Sequence, residues 1–311
     1  MDLELNDDQR AVQDAVAALL AKHVDLETTT ELAAAGEFDA ALRVALDEAG
    51  FLGLALEEEA SWLDAVLLVE AVARSGGLVD IGAAAIVGPA LCGRTVPGPI
   101  AVLERGHRGP ARFGAHARSL LIEDETGVRL VGVAPGGEAV ESNFGWPIGR
   151  LPEDLAGGER LGPDSVARLH RFWRLAIAAE CVGAMQGAFG TTVEYVKQRR
   201  QFGRAIGSFQ AIQHRLAELS VLIEGGRWLV YEAAHFDADP QRVAIAAAHA
   251  TATAERVFAE THQLTGAMGY TREHVLHLWT MRLPVLRLEL GGARAHRIAA
   301  ARSRWLRPPS D

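Results

Sequence analysis

Apolar residues recur every three or four positions over most of this chain, with one interruption near its middle. Val12, Val16, Leu19, Leu20 and His23 follow helical spacing, and the reading predicts an N-terminal helix there. Asn6 followed by Gln9 makes a capping box at its start, with Leu5 as a staple residue. A second helix is expected from Asp39 as N-cap through Leu42, Ala45, Leu46 and Ala49, stopped by Gly50. A third is expected over residues 62–73, closing before Gly76 and Gly77.

From about residue 91 to 155 the texture changes. Gly93, Pro97, Gly98, Pro99, Gly106, Gly109 and Pro110 bound short apolar runs at Ile100–Leu103, 119–122 and 128–133. Short apolar runs between turn formers predict strands. The result is a small β domain, near the lower size limit for a core of its own.

Helical spacing then returns. Leu169, Phe172, Leu175, Ala176, Ala179, Val182 and Met185 share a face of a helix predicted over 166–199. Phe209, Ile212, Leu216, Leu219 and Ile223 mark the next. Asp239 before Pro240 is an N-cap with proline at the first helical position, opening an alanine-rich helix that ends near Gly266. Thr271 is placed to cap a last helix running to Trp305, stopped by Pro308 and Pro309. Four antiparallel helices with short connections read as a four-helix bundle. The expected architecture is mainly α with a small central β domain: a helical domain over 1–90, a β domain over 91–158 and a bundle over 159–311.

Composition narrows the function classes. With 311 residues, 49% hydrophobic and 23% charged, the chain has material for a folded core. Its formal net charge of −9 argues against nucleic-acid binding, which needs clustered cations. Cys92 and Cys181 build neither a disulfide framework nor a cysteine-rich metal site. No apolar run reaches the roughly 18 residues of a membrane span. The acidic, polar start lacks the pattern of a signal peptide, and a cytoplasmic location is expected. His274 and His277 have HxxH spacing without a convincing third ligand, and no metal site is expected.

Two segments carry a resemblance. Tyr195-Val196-Lys197-Gln198-Arg199-Arg200-Gln201-Phe202-Gly203-Arg204, continued by Ile206, Phe209, Gln210 and Gln213, resembles the flavin-binding signature of the acyl-CoA dehydrogenases. So does Gln263-Leu264-Thr265-Gly266-Ala267-Met268-Gly269-Tyr270-Thr271-Arg272-Glu273. Residues 5–20 and 49–55 resemble that family's N-terminal helical domain, and the order helical, β, bundle matches its architecture. The resemblance implies FAD as cofactor and α,β-dehydrogenation of an acyl-CoA. A carboxylate takes the α-proton while the β-hydrogen leaves as hydride to FAD. By the same resemblance, Arg199 reaches the FAD pyrophosphate of a neighbouring subunit, a task suited to a guanidinium. Phe202 and Gln210 lie around that flavin, and Gln263, Gly266 and Ala267 form the loop against its adenosine half. Ala267 stands where the family usually has glycine.

The resemblance fails where the base should be. In much of the family a carboxylate directly precedes a Gly-Thr pair. Here the segment is Arg287-Leu288-Glu289-Leu290-Gly291-Gly292-Ala293-Arg294, so Leu290 occupies the base position and Glu289 comes one residue early. One helical residue is about 100° of rotation. The family threonine becomes Gly292 and its glutamine Arg294. Members that carry the base on the first bundle helix place it where this chain has Trp173, and Glu180 nearby reads as structural or polar-paired. The β domain also lacks the family's flavin-covering pattern between Pro97 and Trp146.

Three readings follow. In the first, the chain is the short subunit of a bacterial heteromeric acyl-CoA dehydrogenase, acting on steroid-derived or other CoA thioesters. It completes the FAD site of a full-length partner in a two-plus-two assembly, with an electron-transfer flavoprotein as acceptor. In the second, it is a self-sufficient homo-oligomeric dehydrogenase with Glu289 as displaced base. In the third, it is a non-enzymatic helical assembly subunit.

Overall fold

The computed structural model describes residues 5–58, 60–151, 155 and 157–306. The predicted stop at Pro308 and Pro309 lies outside them. Local chemistry sets the first helices. In α1 (Asp7–His23) the Asn6 side chain accepts the Gln9 N–H at 2.8 Å, and the Gln9 side chain accepts the Asn6 N–H at 3.0 Å. Asp39 caps α3 (Ala40–Glu48) by accepting the Leu42 N–H at 2.8 Å. Ser61 and Asp64 form a second capping box on α4 (Trp62–Ser75), which ends at left-handed Gly76.

Between α1 and α3 lies a helix that periodicity did not predict, α2 (Leu26–Ala35). Its three consecutive threonines mask the apolar stripe. Asp25 caps it through the Thr28 N–H, and Thr29 and Thr30 donate their hydroxyls to carbonyls one turn back. After α4 a π turn at Ala83–Val87 runs into α5 (Gly88–Cys92).

The interrupted stretch forms a sheet of β1 (Ile100–Leu103), β3 (Ser119–Asp124), β4 (Gly127–Gly132) and β6 (Glu159–Arg160), in the order β1-β3-β4-β6. β1 and β3 are parallel, with Ile100 opposite Ser119, and the other pairs are antiparallel. A separate ribbon pairs β2 (Ala111–Arg112) with β5 (Ile148–Gly149). The sheet has little core of its own. Ala101, Ala117, Leu120 and Val131 form a small cluster, whereas Ile100, Phe113, Leu121 and Val128 join the main core with the helices. Docking therefore supplies what so few residues cannot bury alone.

The bundle consists of α6 (Ser165–Gln198), α7 (Gln210–His235), α8 (Pro240–Thr265) and α11 (Gly292–Trp305). A hairpin of β7 (Arg200–Gln201) and β8 (Arg204–Ala205) joins α6 to α7. α6 is the central element, packed against α4, α7 and α8. Residues 175–185 are buried without exception, as in a helix covered on all sides. At Gly183 an added Cβ would sit 2.3 Å from the Glu70 carbonyl oxygen, so glycine sets the α4–α6 distance.

The last helix does not begin at Thr271, which instead ends a 3-10 turn at Gly266–Tyr270. Residues 271–291 contain only the short α9 (His277–Thr280), α10 (Leu283–Leu286) and a 3-10 turn at Glu289–Gly291. Leu290, Gly291 and Gly292 all have positive φ, at 50°, 76° and 67°. Leu290 and Gly291 are left-handed in succession, which ends any right-handed helix, and α11 starts directly after them at Gly292. No helix among the described residues is long and apolar enough to cross a membrane.

Candidate active site and flavin surface

A cavity of about 520 Å³ lies between the β elements, α6 and the turn before α11. Ile100, Val102, Phe113, Ile148, Trp173 and Leu288 give it apolar walls. One side is ionic. Arg112 on β2 points at Glu180 from α6 and at Glu289 from the last 3-10 turn.

Glu289 is fully engaged. Its Oε1 accepts from Arg112 Nε at 2.6 Å, and its Oε2 accepts from Arg112 Nη2 at 3.1 Å and from Trp173 Nε1 at 2.8 Å. The fork geometry is that of a strong bidentate pair. Glu180 is only 1% exposed and accepts from Arg112 Nη1 at 3.0 Å and from the Gly82 N–H at 3.3 Å. Burial pushes Glu180 above the ordinary carboxylate range, against the opposing pull of Arg112. Burial also works to discharge Arg112, but Glu180 and Glu289 outweigh it and hold the guanidinium charged. The Arg112 side chain also stacks over Trp146, 4.7 Å from the ring centroid. Leu290 at the family base position is buried, and its N–H donates to Glu104 at 2.9 Å.

The six flavin candidates gather elsewhere. α6, α7 and α8 run up, down and up, so the end of α6, the start of α7 and the end of α8 share one end of the bundle. Arg215 of α7 donates to Glu260 of α8 at 2.6 Å near that end. Arg199 closes α6, Phe202 sits at the tip of the β7–β8 hairpin, and Gln210 opens α7. Gln263 lies in the last turn of α8, and Gly266 and Ala267 follow in the 3-10 turn. All six are exposed, Phe202 to 91%. Arg199 makes no side-chain hydrogen bond or salt bridge among the described residues. Gly266 has φ of 60°, with open space where a Cβ would point. An unpaired guanidinium, amide donors and an open aromatic ring fit a ligand with an anionic bridge and planar rings, as FAD has.

These two groups of residues are not brought together. Nineteen residues of α6 separate Glu180 from Arg199, about 28 Å at ~1.5 Å per residue. The residue sequence reading missed is Arg112. Its local context, Ala111-Arg112-Phe113-Gly114, carries no motif. The available signal was Glu180 itself, because a carboxylate within an alanine-rich buried helix needs a cation.

Comparison with known proteins gives a consistent picture. Residues 6–95 match the profile described as "Acyl-CoA dehydrogenase, N-terminal domain", and residues 166–303 match "Acyl-CoA dehydrogenase, C-terminal domain". Acyl-CoA dehydrogenase IpdE2 of Mycobacterium tuberculosis is 43% identical over 112 residues, 35% of this chain and 34% of that protein. Subunit CarC of the caffeyl-CoA reductase-Etf complex of Acetobacterium woodii is 31% identical over 180 residues, 55% of this chain and 46% of that one. The alignments thus span about a third to a half of these relatives. Among solved structures, a chain of the ChsE4-ChsE5 complex from Mycobacterium tuberculosis superposes over all of both chains with a TM-score of 0.79 at 22% identity. One from the Tcur3481-Tcur3483 steroid ACAD, as its G363A variant, superposes over 96% of this chain and 97% of that one, with a TM-score of 0.80 at 23% identity.

Proposed function

The chain belongs to the acyl-CoA dehydrogenase family, and on that premise we propose that it is the non-catalytic subunit of a heteromeric member. The family comprises FAD-dependent oxidoreductases acting on CH–CH groups. In this reading a full-length partner supplies the base and most of the acyl pocket. This chain lends Arg199, Phe202, Gln210, Gln263, Gly266 and Ala267 to the partner's FAD. The assembly is two plus two, the substrate an acyl-CoA of the steroid-derived kind, and the electron acceptor an electron-transfer flavoprotein. The likeness to the ChsE4-ChsE5 complex and to the Tcur3481-Tcur3483 steroid ACAD supports a heteromer of this sort.

One observation carries the reading. Both oxygens of Glu289 are held by Arg112 and Trp173, whereas Arg199 stands exposed at the bundle end with no side-chain partner among the described residues. A general base must be free to reach its proton, and a bidentate ionic clamp opposes that. The retained 520 Å³ cavity with Glu289 in its wall favours the self-sufficient reading instead.

The test is visible absorbance of the chain purified alone and co-expressed with a full-length family partner. The proposal expects a colourless lone chain and a yellow, active complex. Arg199→Ala should leave assembly intact and strip the flavin, which separates this reading from a purely structural subunit. Glu289→Gln should leave turnover of the complex unchanged. A yellow lone chain that bleaches with acyl-CoA and loses turnover in Glu289→Gln overturns the proposal in favour of Glu289 as base.

A further inference from the structure

A second cavity, of about 290 Å³, opens between α2, the loop before β5 and the segment after α8. Ser142, Asn143, His262, Tyr270, Arg272 and His277 supply its polar lining. No carboxylate lines it among the described residues, in a chain whose formal net charge is −9. Arg272 is exposed and makes no salt bridge among the described residues. Its only side-chain bond there is a long one to Asn143 Oδ1 at 3.5 Å.

His262 is the unexplained group. It is 1% exposed, and among the described residues neither ring nitrogen has a hydrogen-bond partner of normal geometry, although the Gly269 backbone lies close enough to favour the protonated ring. Its ring rests against Phe258 at 4.5 Å and Tyr270 at 4.7 Å between centroids. An unsatisfied buried polar atom costs roughly 1–3 kcal/mol, so two on one ring call for a partner from outside the chain. The space exceeds what one or two waters need, since a water takes about 30 Å³ of liquid.

The free valences define the partner's chemistry. Burial lowers both His262 and His277 from the ordinary histidine value, against the opposing backbone of Gly269 and of His274, and so favours the neutral rings. Neutral His262 offers one N–H and one acceptor nitrogen. His277 Nδ1 is engaged with the His274 carbonyl at 2.9 Å and carries its proton there, which leaves Nε2 as an acceptor. The Ser142 hydroxyl accepts from the Phe144 N–H at 3.0 Å and retains its own proton to donate. Asn143 retains its amide protons, and Arg272 provides the charge. The set therefore asks for an anion with several acceptor oxygens and at least one proton to give. A carboxylate or sulfate at neutral pH has no such proton, whereas inorganic phosphate keeps one and a phosphomonoester keeps one in its monoanion.

We propose that this cavity binds a phosphoryl group, as inorganic phosphate or as the head of a phosphomonoester, with Arg272 as counter-charge and His262 as its inner hydrogen-bonding partner. The proposal does not rest on the flavin reading, because binding is measured on the full chain alone, without flavin. The chain labelled with ¹⁵N-histidine is titrated with inorganic phosphate, with glycerol phosphate and with sulfate. His262 ring signals and calorimetric heats are followed. Phosphate or glycerol phosphate should bind one to one and shift the His262 nitrogens, with sulfate at least tenfold weaker. Tighter binding of glycerol phosphate than of phosphate assigns the site to an ester. Arg272→Gln, a change at an exposed position, should weaken binding at least tenfold, and His262→Phe should abolish it. Unmoved His262 signals with both phosphates, sulfate binding as tightly as phosphate, or undiminished binding in Arg272→Gln overturns the proposal.

Discussion

Replacing Arg112 by methionine keeps an unbranched apolar stem and removes the cation that, among the described residues, bonds to both Glu180 and Glu289. Glu180 is buried and the Glu289 side chain is only 15% exposed, so water replaces little of what Arg112 supplies. Removing one partner of a buried ion pair costs about 3–5 kcal/mol, because the remaining charge stays unpaired. Unfolding entropy near 60 °C is about 2.1 cal/mol/K per residue, or ~0.65 kcal/mol/K for 311 residues. The expected drop in Tm is therefore roughly 5–8 °C, read by calorimetry at neutral pH. The pH dependence has a definite sign. Burial already raises Glu180 in the folded protein, and losing Arg112 raises it further. A folded-state carboxylate raised above its unfolded value stabilises at pH below that unfolded value, and this contribution is lost as pH rises through the folded value. The deficit of Arg112→Met should thus be largest at neutral pH and shrink as pH falls towards 5. Adding Glu289→Gln should recover part of the loss, since one of the facing charges disappears. A variant melting within a degree of the native protein at neutral pH, or a deficit that grows on acidification, refutes the ionic account of this site.

Three further outcomes are expected. His296 is fully buried, and burial together with Arg174 lowers its pKa from 6.5 to about 4. The unfolded chain takes up that proton first, so stability should fall by up to about 3 kcal/mol as pH drops from ~6.5 to ~4. Urea midpoints at pH 7 and 5 should show the fall, and His296→Leu should remove this part of it; an unchanged slope in the variant sinks the assignment. Gly183→Ala pushes a methyl to 2.3 Å from the Glu70 carbonyl and should cost at least ~2 kcal/mol, against which a native-like urea midpoint would count. Arg282 donates to the carbonyls of Gly76 and Gly77 at 2.9 Å and of Gly145 at 3.0 Å. Arg282→Met should destabilise by more than about 3 kcal/mol and speed hydrogen exchange over residues 277–289, and unchanged exchange there would show that it is not the clamp joining these segments.

How much of this molecule was legible beforehand follows from the range of the interactions involved. The Asn6–Gln9 box, the Asp39 cap and the Asp239-Pro240 start each involve partners within four residues, and sequence reading located them. The order of helices, strands and bundle was likewise readable from periodicity and turn formers. α2 escaped because its threonines satisfy their hydroxyls within the helix, which spacing alone does not reveal. The late start of α11 escaped because helical periodicity continued through a segment where Leu290 and Gly291 turn left-handed. The flavin candidates were found as motifs, and their common location at one bundle end follows from helix lengths and direction.

The ion network is a different matter. Arg112 lies 68 residues from Glu180 and 177 from Glu289. Nothing in its neighbours marks it. From the order of residues alone the chain reads as a helical protein with a small sheet, a flavin-type motif pair and a displaced carboxylate. It took the packed fold to clamp this carboxylate with a guanidinium and an indole, and to leave His262 facing a polar cavity with no hydrogen bond of normal geometry among the described residues. The physical reason is that capping and periodicity are local properties of the backbone, whereas the state of a buried charge depends on which distant groups packing brings within about 3 Å of it.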